Sequence, residues 1–296
     1  MTLIKCIATD MDGTLLNASQ EVSEENKLAI REARKQGIDF LVATGRSYHD
    51  LRYVLEKVDI LCPAICLNGA EIRDEQGNIE FGIGLDEETA SQVARILDHA
   101  DIYYELYTSN GTYTTNYEKG VQAVMDIYRT ANPSIEIAPL RERVEKRFKK
   151  RLIKVVDHLD GIFGAGDIVT YKFFGFSKDA ALLNEMNIRF EQIKGITVTA
   201  SGRQNIEITH AQAKKGNALK RYTEKRGIPL EQTMAIGDNY NDLSMLRLVG
   251  HSVAMGNAEK EIKDSCRYIT GLNTKDGVAE IIYKILEEQN IRNEKA

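Results

Sequence analysis

Four cysteines in 296 residues are too few for a disulfide framework. Cys62 and Cys66 sit close together in the apolar run LCPAIC. No second pair of Cys or His follows at similar spacing, so a zinc site of the usual kind is excluded. Reduced, half-buried core thiols are the remaining reading, with Cys6 and Cys266 included, and the expected compartment is the cytoplasm. The five histidines show no ligand spacing. Apolar runs are strand-sized, far short of the ~20 residues that cross a bilayer. The opening MTLIKCIATD reaches an acid at position 10, too soon for the apolar core of a signal peptide. There is no internal repeat and no low-complexity segment. Charge of one sign is also missing: 39 Lys and Arg stand against 44 Asp and Glu, a net −5. Such a balance gives no whole-chain attraction to nucleic acid or an anionic membrane.

What is present is ordinary globular composition, 43% hydrophobic and 28% charged. The length suits one large or two ordinary domains. The first third alternates strand and helix patterns. Strands are expected at 3–9, 38–43 and 64–68, and helices at 24–36 and 47–57. The first helix carries Leu28, Ala29, Ile30 and Ala33 on one face, with Ser23 to cap it and Gly37 to end it. Strands that are apolar without alternation argue for a parallel sheet covered on both faces. The last third repeats this grammar, with helices at 215–227, 241–249 and 276–288 and strands at 233–237 and 252–255. The middle differs. It holds a hairpin near Gln76-Gly77-Asn78, helices at 87–99 and 118–130, and strand-like runs at 102–108, 112–115, 168–176, 196–200 and 204–209. The expected fold is α/β: a doubly wound, Rossmann-like parallel core from residues 1–83 and 212–296, with an α+β cap domain inserted at 84–211.

Four segments carry chemistry. Asp10-Met11-Asp12-Gly13-Thr14-Leu15 follows the first strand directly. In an open parallel sheet, ligands bind outside the carboxyl ends of strands. Two acids so close repel, and a hard divalent cation relieves the repulsion. Gly13 permits the turn that swings the second acid back. One carboxylate can then attack an electrophile while the other handles protons. The competing reading is an acidic turn capping a strand. The pattern D-x-D-G-T would arise by chance in about one chain in 300 of this length, so chance is the weaker account. Thr44-Gly45-Arg46 follows the second strand and offers a hydroxyl and an N–H to a phosphate. Lys214-Lys215-Gly216-Asn217 opens a helix and places a lysine within reach of an anion at nearby strand ends. Gly237-Asp238-Asn239-Tyr240-Asn241-Asp242 puts another acid at a strand end, four residues before the next. Each of the last three has a bland alternative: a common turn, a solvated helix face, an N-cap. Their convergence on one sheet edge favours a shared site.

Taken together, the four segments resemble, in order, the motifs of the haloacid dehalogenase (HAD) phosphohydrolase superfamily. The insertion between the Thr44 and Lys215 segments is similar to the Cof-type branch with its large α/β cap. Asn68-Gly69-Ala70 and the run GDNYNDLSML at 237–246 are further Cof-like features. The resemblance implies a Mg²⁺-dependent phosphatase of small phosphorylated metabolites, sugar phosphates or phosphorylated cofactors. Within it, Asp10 would be the nucleophile that forms an aspartyl-phosphate, and Asp12 the acid and base. Mg²⁺ would be held by Asp10, the Asp12 carbonyl and Asp238. Met11 and Gly45 amides, Thr44, Lys215 and Asn241 would bind phosphoryl oxygens. Asp242 would orient Lys215 or the metal's waters. Lys215, not Lys214, takes the role because the family's lysine directly precedes its glycine. Arg46, Asn68, Arg203 and Glu207 are candidates for touching substrate.

A phosphotransferase or phosphomutase is the neighbouring alternative, and a non-catalytic phospho-switch a more distant one. Asp12 and the large insertion have no use in a switch. The basic run at 141–154 reads as an exposed helical face, since without interleaved aromatics it is a poor nucleic-acid site. The glycines at 161–166 lack the flanking strand and helix of a dinucleotide fingerprint and read as a loop. Tyr103, Tyr104 and Tyr107 read as sheet packing.

Overall fold

The apolar runs form the centre of a parallel sheet, and the chain leaves that sheet once and returns. A computed structural model describes residues 3–132, 134–149, 153–163, 165–200 and 202–293. The first part runs β1 (Cys6–Thr9), α1 (Glu24–Lys35), β2 (Asp39–Ala43), α2 (Tyr48–Leu55), β3 (Ala64–Cys66), β4 (Glu71–Arg73) and β5 (Ile79–Gly82). The middle part comprises α3 (Glu87–His99), β6 (Tyr103–Thr108), β7 (Gly111–Thr114), α4 (Tyr117–Ala131), α5 (Ile137–Lys149), β8 (Ile153–Val155), β9 (Thr170–Phe176), α6 (Ala180–Glu191), β10 (Ile196–Thr199) and β11 (Asn205–His210). The last part contains α7 (Lys215–Lys225), β12 (Thr233–Gly237), α8 (Leu243–Leu246), β13 (His251–Ala254), α9 (Lys260–Asp264), β14 (Tyr268–Ile269) and α10 (Gly277–Asn293). Two compact units result: Met1–Phe81 with Ala213–Ala296, and Gly82–Gln212.

The first unit holds an eight-stranded sheet in the order β14-β13-β12-β1-β2-β3-β4-β5. Its pairs from β14 to β3 are parallel, and β4 turns back antiparallel on β3. Strand β1 is central. The chain winds outward from it on one side through β2 and β3, and on the other through β12, β13 and β14. This is a topological switch point, where the connections diverge and leave a crevice at the strands' carboxyl ends. Thr9 is in register with Ile236 and Val42, so the residues after β1, β2 and β12 leave the sheet side by side.

Helix α1 starts at Ser23, whose side chain accepts from the Asn26 amide. Its buried stripe is Asn26, Ala29, Ile30 and Ala33, the i, i+3, i+4, i+7 pattern of one helical face. Leu28, expected on that face, is instead 46% exposed; it lies one residue, about 100°, round the helix. Asn26 takes the inner place because it is bonded on both sides. It donates to the Leu15 carbonyl at 3.2 Å and accepts from the Ala279 amide at 2.9 Å. The three thiols of Cys6, Cys62 and Cys66 are buried and free, and Cys266 is half-buried and free.

The second unit is a six-stranded sheet, β10-β11-β9-β6-β7-β8, antiparallel except for β7 with β8. Side chains alternate across it. Tyr104, Leu106, Phe173, Ile206 and Ile208 face one way and pack with Val93 and Leu97 of α3 and Leu183, Met186 and Phe190 of α6. Tyr103, Glu105, Tyr107, Lys172 and Glu207 face the other. Helix α6 was not expected from sequence, although Asp179 caps it by accepting from the Ala181 and Leu182 amides. Within the basic run, α5 buries Leu140, Val144 and Phe148 at a spacing of four and leaves Arg141 on the outside. Of the glycine-rich loop, Ile162 and Phe163 join the unit's core, and Gly164 lies outside the described residues. Among the described residues no helix is long and apolar enough to cross a membrane.

Replacing Asn26 by Ala strands a buried carbonyl and a buried amide, each costing about 1–3 kcal/mol. We expect Asn26→Ala to lower the urea midpoint clearly, while Leu28→Ala stays within about 0.5 kcal/mol of wild type. Equal midpoints for the two variants would contradict this assignment of the helix face.

Candidate active site

Asp10 continues the β1 ladder, its amide donating to the Ile236 carbonyl at 2.8 Å. The chain then folds over itself in a wide turn at Met11–Leu15, closed by the Leu16 amide on the Met11 carbonyl at 2.9 Å. Gly13, at φ +78°, lies against the carboxylate of Asp238, and a Cβ there would collide with it. Glycine thus provides both the left-handed backbone and the space. Thr14 Oγ1 donates to Asp238 Oδ1 at 3.0 Å. The end of β12 is equally close-fitting: a Cβ on Gly237 would stand 2.6 Å from the Asp242 carboxyl carbon. Asp242 Oδ2 accepts from the amides of Asp238 and Asn239, at 3.0 and 3.1 Å. The two acids of this segment are therefore locked together.

Lys215 joins the segments. It opens α7, its side chain is fully buried, and its ammonium donates to Asp10 Oδ1 at 2.5 Å and to Asp242 Oδ1 at 2.7 Å. Its neighbour Lys214 is exposed. One carboxylate oxygen from each of Asp10, Asp238 and Asp242 lies within 4.8 Å of the others. Among the described residues no other group of three His, Cys, Asp or Glu is as close.

At the end of β2, Thr44 is fully buried and its Oγ1 accepts from the Arg46 amide at 3.1 Å. The Asn68 amide donates to the Thr44 carbonyl at 3.0 Å, and Asn241 Nδ2 donates to Asn68 Oδ1 at 3.1 Å. Thr44, Gly45, Asn68 and Asn241 thus form one connected rim. The Arg46 guanidinium is bonded to both oxygens of Asp12, at 2.8 and 2.5 Å, and to Gln20 Oε1 at 2.6 Å. The structure therefore brings Asp10, Met11, Asp12, Thr44, Gly45, Arg46, Asn68, Lys215, Asn241, Asp238 and Asp242 to one edge of the first unit. Arg203 and Glu207 belong to the second unit. Arg203 is exposed in the turn before β11. Glu207 is buried and accepts from Lys172 Nζ at 2.9 Å. On the same sheet face, Glu105 accepts from the hydroxyls of Tyr103 and Tyr107.

Sequence reasoning missed Asn257 and Gln20. Asn257 donates to the Gly13 carbonyl at 2.8 Å and stands 3.4 Å from Asp238 Oδ2. It follows β13, so the strand-end rule that found the other residues reaches it too.

Burial pushes Asp10 up to about 8; Asp242 and Asp238 add to the rise and Lys215 opposes it. Burial also raises Asp238, to about 6, with Asp242 adding and the Thr14 hydroxyl opposing. Burial alone would pull Lys215 down, but the carboxylates of Asp10 and Asp242 outweigh it and hold the ammonium charged. Three carboxylates thus gather beside one ammonium, which bonds to two of them. That excess of negative oxygen suits a hard divalent cation.

The sequence pattern of the haloacid dehalogenase-like hydrolases matches residues 7–282. The chain belongs to this family. Phosphatase YwpJ of Bacillus subtilis is 34% identical over 96% of this chain and 100% of its own length. YwtE of the same organism, named a 5-amino-6-(5-phospho-D-ribitylamino)uracil phosphatase, is 35% identical over 97% of this chain and 99% of its own. The solved structure of a haloacid dehalogenase-like hydrolase from B. subtilis superposes with a TM-score of 0.82 at 35% identity, covering 95% of this chain and 99% of that one. This HAD-like hydrolase is of the Cof type and is an enzyme, a phosphoric monoester hydrolase.

In the metal-free HAD site, Asp238 binds a proton more tightly when folded than when unfolded. Its contribution to stability is fully present below about pH 4 and is lost as pH rises through about 6. A divalent cation must displace that proton. Any rise in melting temperature on adding a divalent cation such as Mg²⁺ should therefore be small at pH 5 and larger at pH 8, and Asp238→Asn should remove it while stabilising the metal-free protein at pH 8. Thermal scans would check this; an equal Mg²⁺ response at both pH values would contradict it.

Proposed function

We propose that the enzyme is a Mg²⁺-dependent phosphatase of small phosphorylated metabolites, sugar phosphates or phosphorylated cofactors, and that it works through an aspartyl-phosphate on Asp10. The observation that carries this is Asp10 itself: a desolvated carboxylate at the central strand's end, with one oxygen held by Lys215 at 2.5 Å. That bond fixes the side chain and leaves the second oxygen to attack phosphorus. Asp12, two residues on and 46% exposed at its side chain, is open to exchange a proton with a leaving oxygen.

In the first half-reaction an Asp10 oxygen bonds to phosphorus as the ester P–O bond breaks, and Asp12 gives its proton to the departing oxygen. In the second, Asp12 takes a proton from water, the water oxygen bonds to phosphorus, and the bond from phosphorus to Asp10 breaks. The Met11 and Gly45 amides, the Thr44 hydroxyl, Lys215 and Asn241 would bind the phosphoryl oxygens. Such transfers depend on positioning and charge neutralisation. Mg²⁺ would be held by Asp10, Asp238 and the Asp12 carbonyl, and when bound it offsets charge on nucleophile and phosphoryl group together. Asp242 would act through Lys215 and the Asp238 amide. The substrates we expect are small esters and not proteins or nucleic acids. Free thiols support a reducing compartment, the cytoplasm.

A phosphate-release screen of phosphorylated metabolites, with and without EDTA, tests the reading. The ribitylaminouracil ester for which YwtE is named belongs in the panel. Hydrolysis that EDTA abolishes is expected; phosphate moved from a hexose 1-phosphate to a 6-hydroxyl, with none released, would instead identify a transferase. Asp10→Asn should abolish turnover, and near wild-type rates would remove Asp10 from its role. Asp12→Asn should slow alkyl phosphates by about 10²–10⁴-fold and p-nitrophenyl phosphate far less, because that leaving group needs little protonation. Equal losses on both substrates would count against the acid role.

A further inference from the structure

We propose that Arg46 is a positioning residue for Asp12, fixing the proton-transfer carboxylate at the edge of the phosphoryl site through a guanidinium clamp completed by Gln20. The assignment rests on the phosphatase reading above. Arg46 Nε donates to one Asp12 oxygen at 2.8 Å and Nη2 to the other at 2.5 Å, the paired geometry that matches a planar fork to a carboxylate. The same Nη2 donates to Gln20 Oε1 at 2.6 Å. The turn bearing Gln20 is itself tied. Asn17 Oδ1 accepts from the Ser19 and Glu21 amides, and the Gln20 amide donates to the Asn17 carbonyl.

Three observations separate positioning from a surface ion pair. The Arg46 side chain is 26% exposed and that of Asp12 46%, so the arginine is the better anchored partner and the carboxylate the one needing restraint. Exposed pairs are ordinarily worth about 0–1 kcal/mol, so stability alone gives little reason for a paired fork backed by a glutamine. The backbone of Arg46 is fastened to the phosphoryl site, its amide donating to Thr44 Oγ1 at 3.1 Å. One residue thus spans the hydroxyl proposed to hold the phosphoryl group and the acid proposed to serve its leaving oxygen. A carboxylate has about four lone-pair sites. The fork takes one on each oxygen and leaves one on each for proton exchange.

The test is the leaving-group dependence of kcat for Arg46→Ala, Arg46→Lys and Gln20→Ala on phenyl phosphate and p-nitrophenyl phosphate with Mg²⁺. Misplacing a catalytic group by an ångström costs up to about 10²-fold. Arg46→Ala should lose about tenfold or more on phenyl phosphate and no more than about threefold on p-nitrophenyl phosphate. Arg46→Lys should recover part of the loss, and Gln20→Ala should show a smaller split of the same sign. In an Asp12→Asn background, Arg46→Ala should change nothing further. Equal losses on the two esters, a raised KM with unchanged kcat, or full additivity with Asp12→Asn would each overturn the assignment while leaving the phosphatase reading intact. A wild-type protein that hydrolyses neither these esters nor any in the metabolite screen would overturn that reading, and this one with it.

Discussion

One buried ammonium organises this molecule. Lys215 lies between Asp10 and Asp242 with no exposure to solvent. A charge so placed is tolerable only if its partners are there, and each partner is tolerable only because of it; removing one member of a buried pair typically costs about 3–5 kcal/mol. The three residues come from strand ends and a helix start that are far apart in sequence. Their mutual need fixes the β1 turn, the β12 turn and the start of α7 relative to one another. What remains is a surplus of carboxylate oxygen, and that surplus is what makes the place suitable for a cation.

The fold makes this arrangement possible by winding outward in two directions from β1. Neighbouring strands that leave the sheet together must place their following loops side by side, and two glycines let those loops touch. Gly13 admits the Asp238 carboxylate, and Gly237 admits that of Asp242. Any larger residue would separate acids whose closeness is the point. Asn257 closes the assembly from β13 by bonding to the Gly13 carbonyl. The second unit has a different character. One face of its sheet is an ordinary apolar core, while the other carries Glu105, Lys172 and Glu207 as buried, bonded charges.

The strand-end chemistry was legible because a parallel sheet converts a one-dimensional pattern, apolar run then polar motif, into a single edge in space. Asp10, Thr44 and Asp238 all follow from that rule, while Lys215 was read from its place at a helix start. Asn257 obeys it too, but Gly-Asn after a strand has the composition of any turn. The Asp12–Arg46 bond was beyond reach for another reason: it joins two long-range side chains whose rotamers no periodicity encodes. Leu28 was misplaced because one step round a helix separates inside from outside, and a bonded asparagine took the inner position. Helix α6 escaped notice because apolar residues lie on several of its sides, with Ile188 57% exposed, so no clean stripe marks it.

The central claim is covalent capture of phosphorus by Asp10. Acid-quenching the enzyme during turnover, reducing acyl phosphates with borohydride and locating the modified peptide by mass spectrometry addresses it directly. The account predicts that the aspartate at position 10, and no other, is reduced to the alcohol. Reduction at a different carboxylate, or none while phosphate release proceeds, would contradict it.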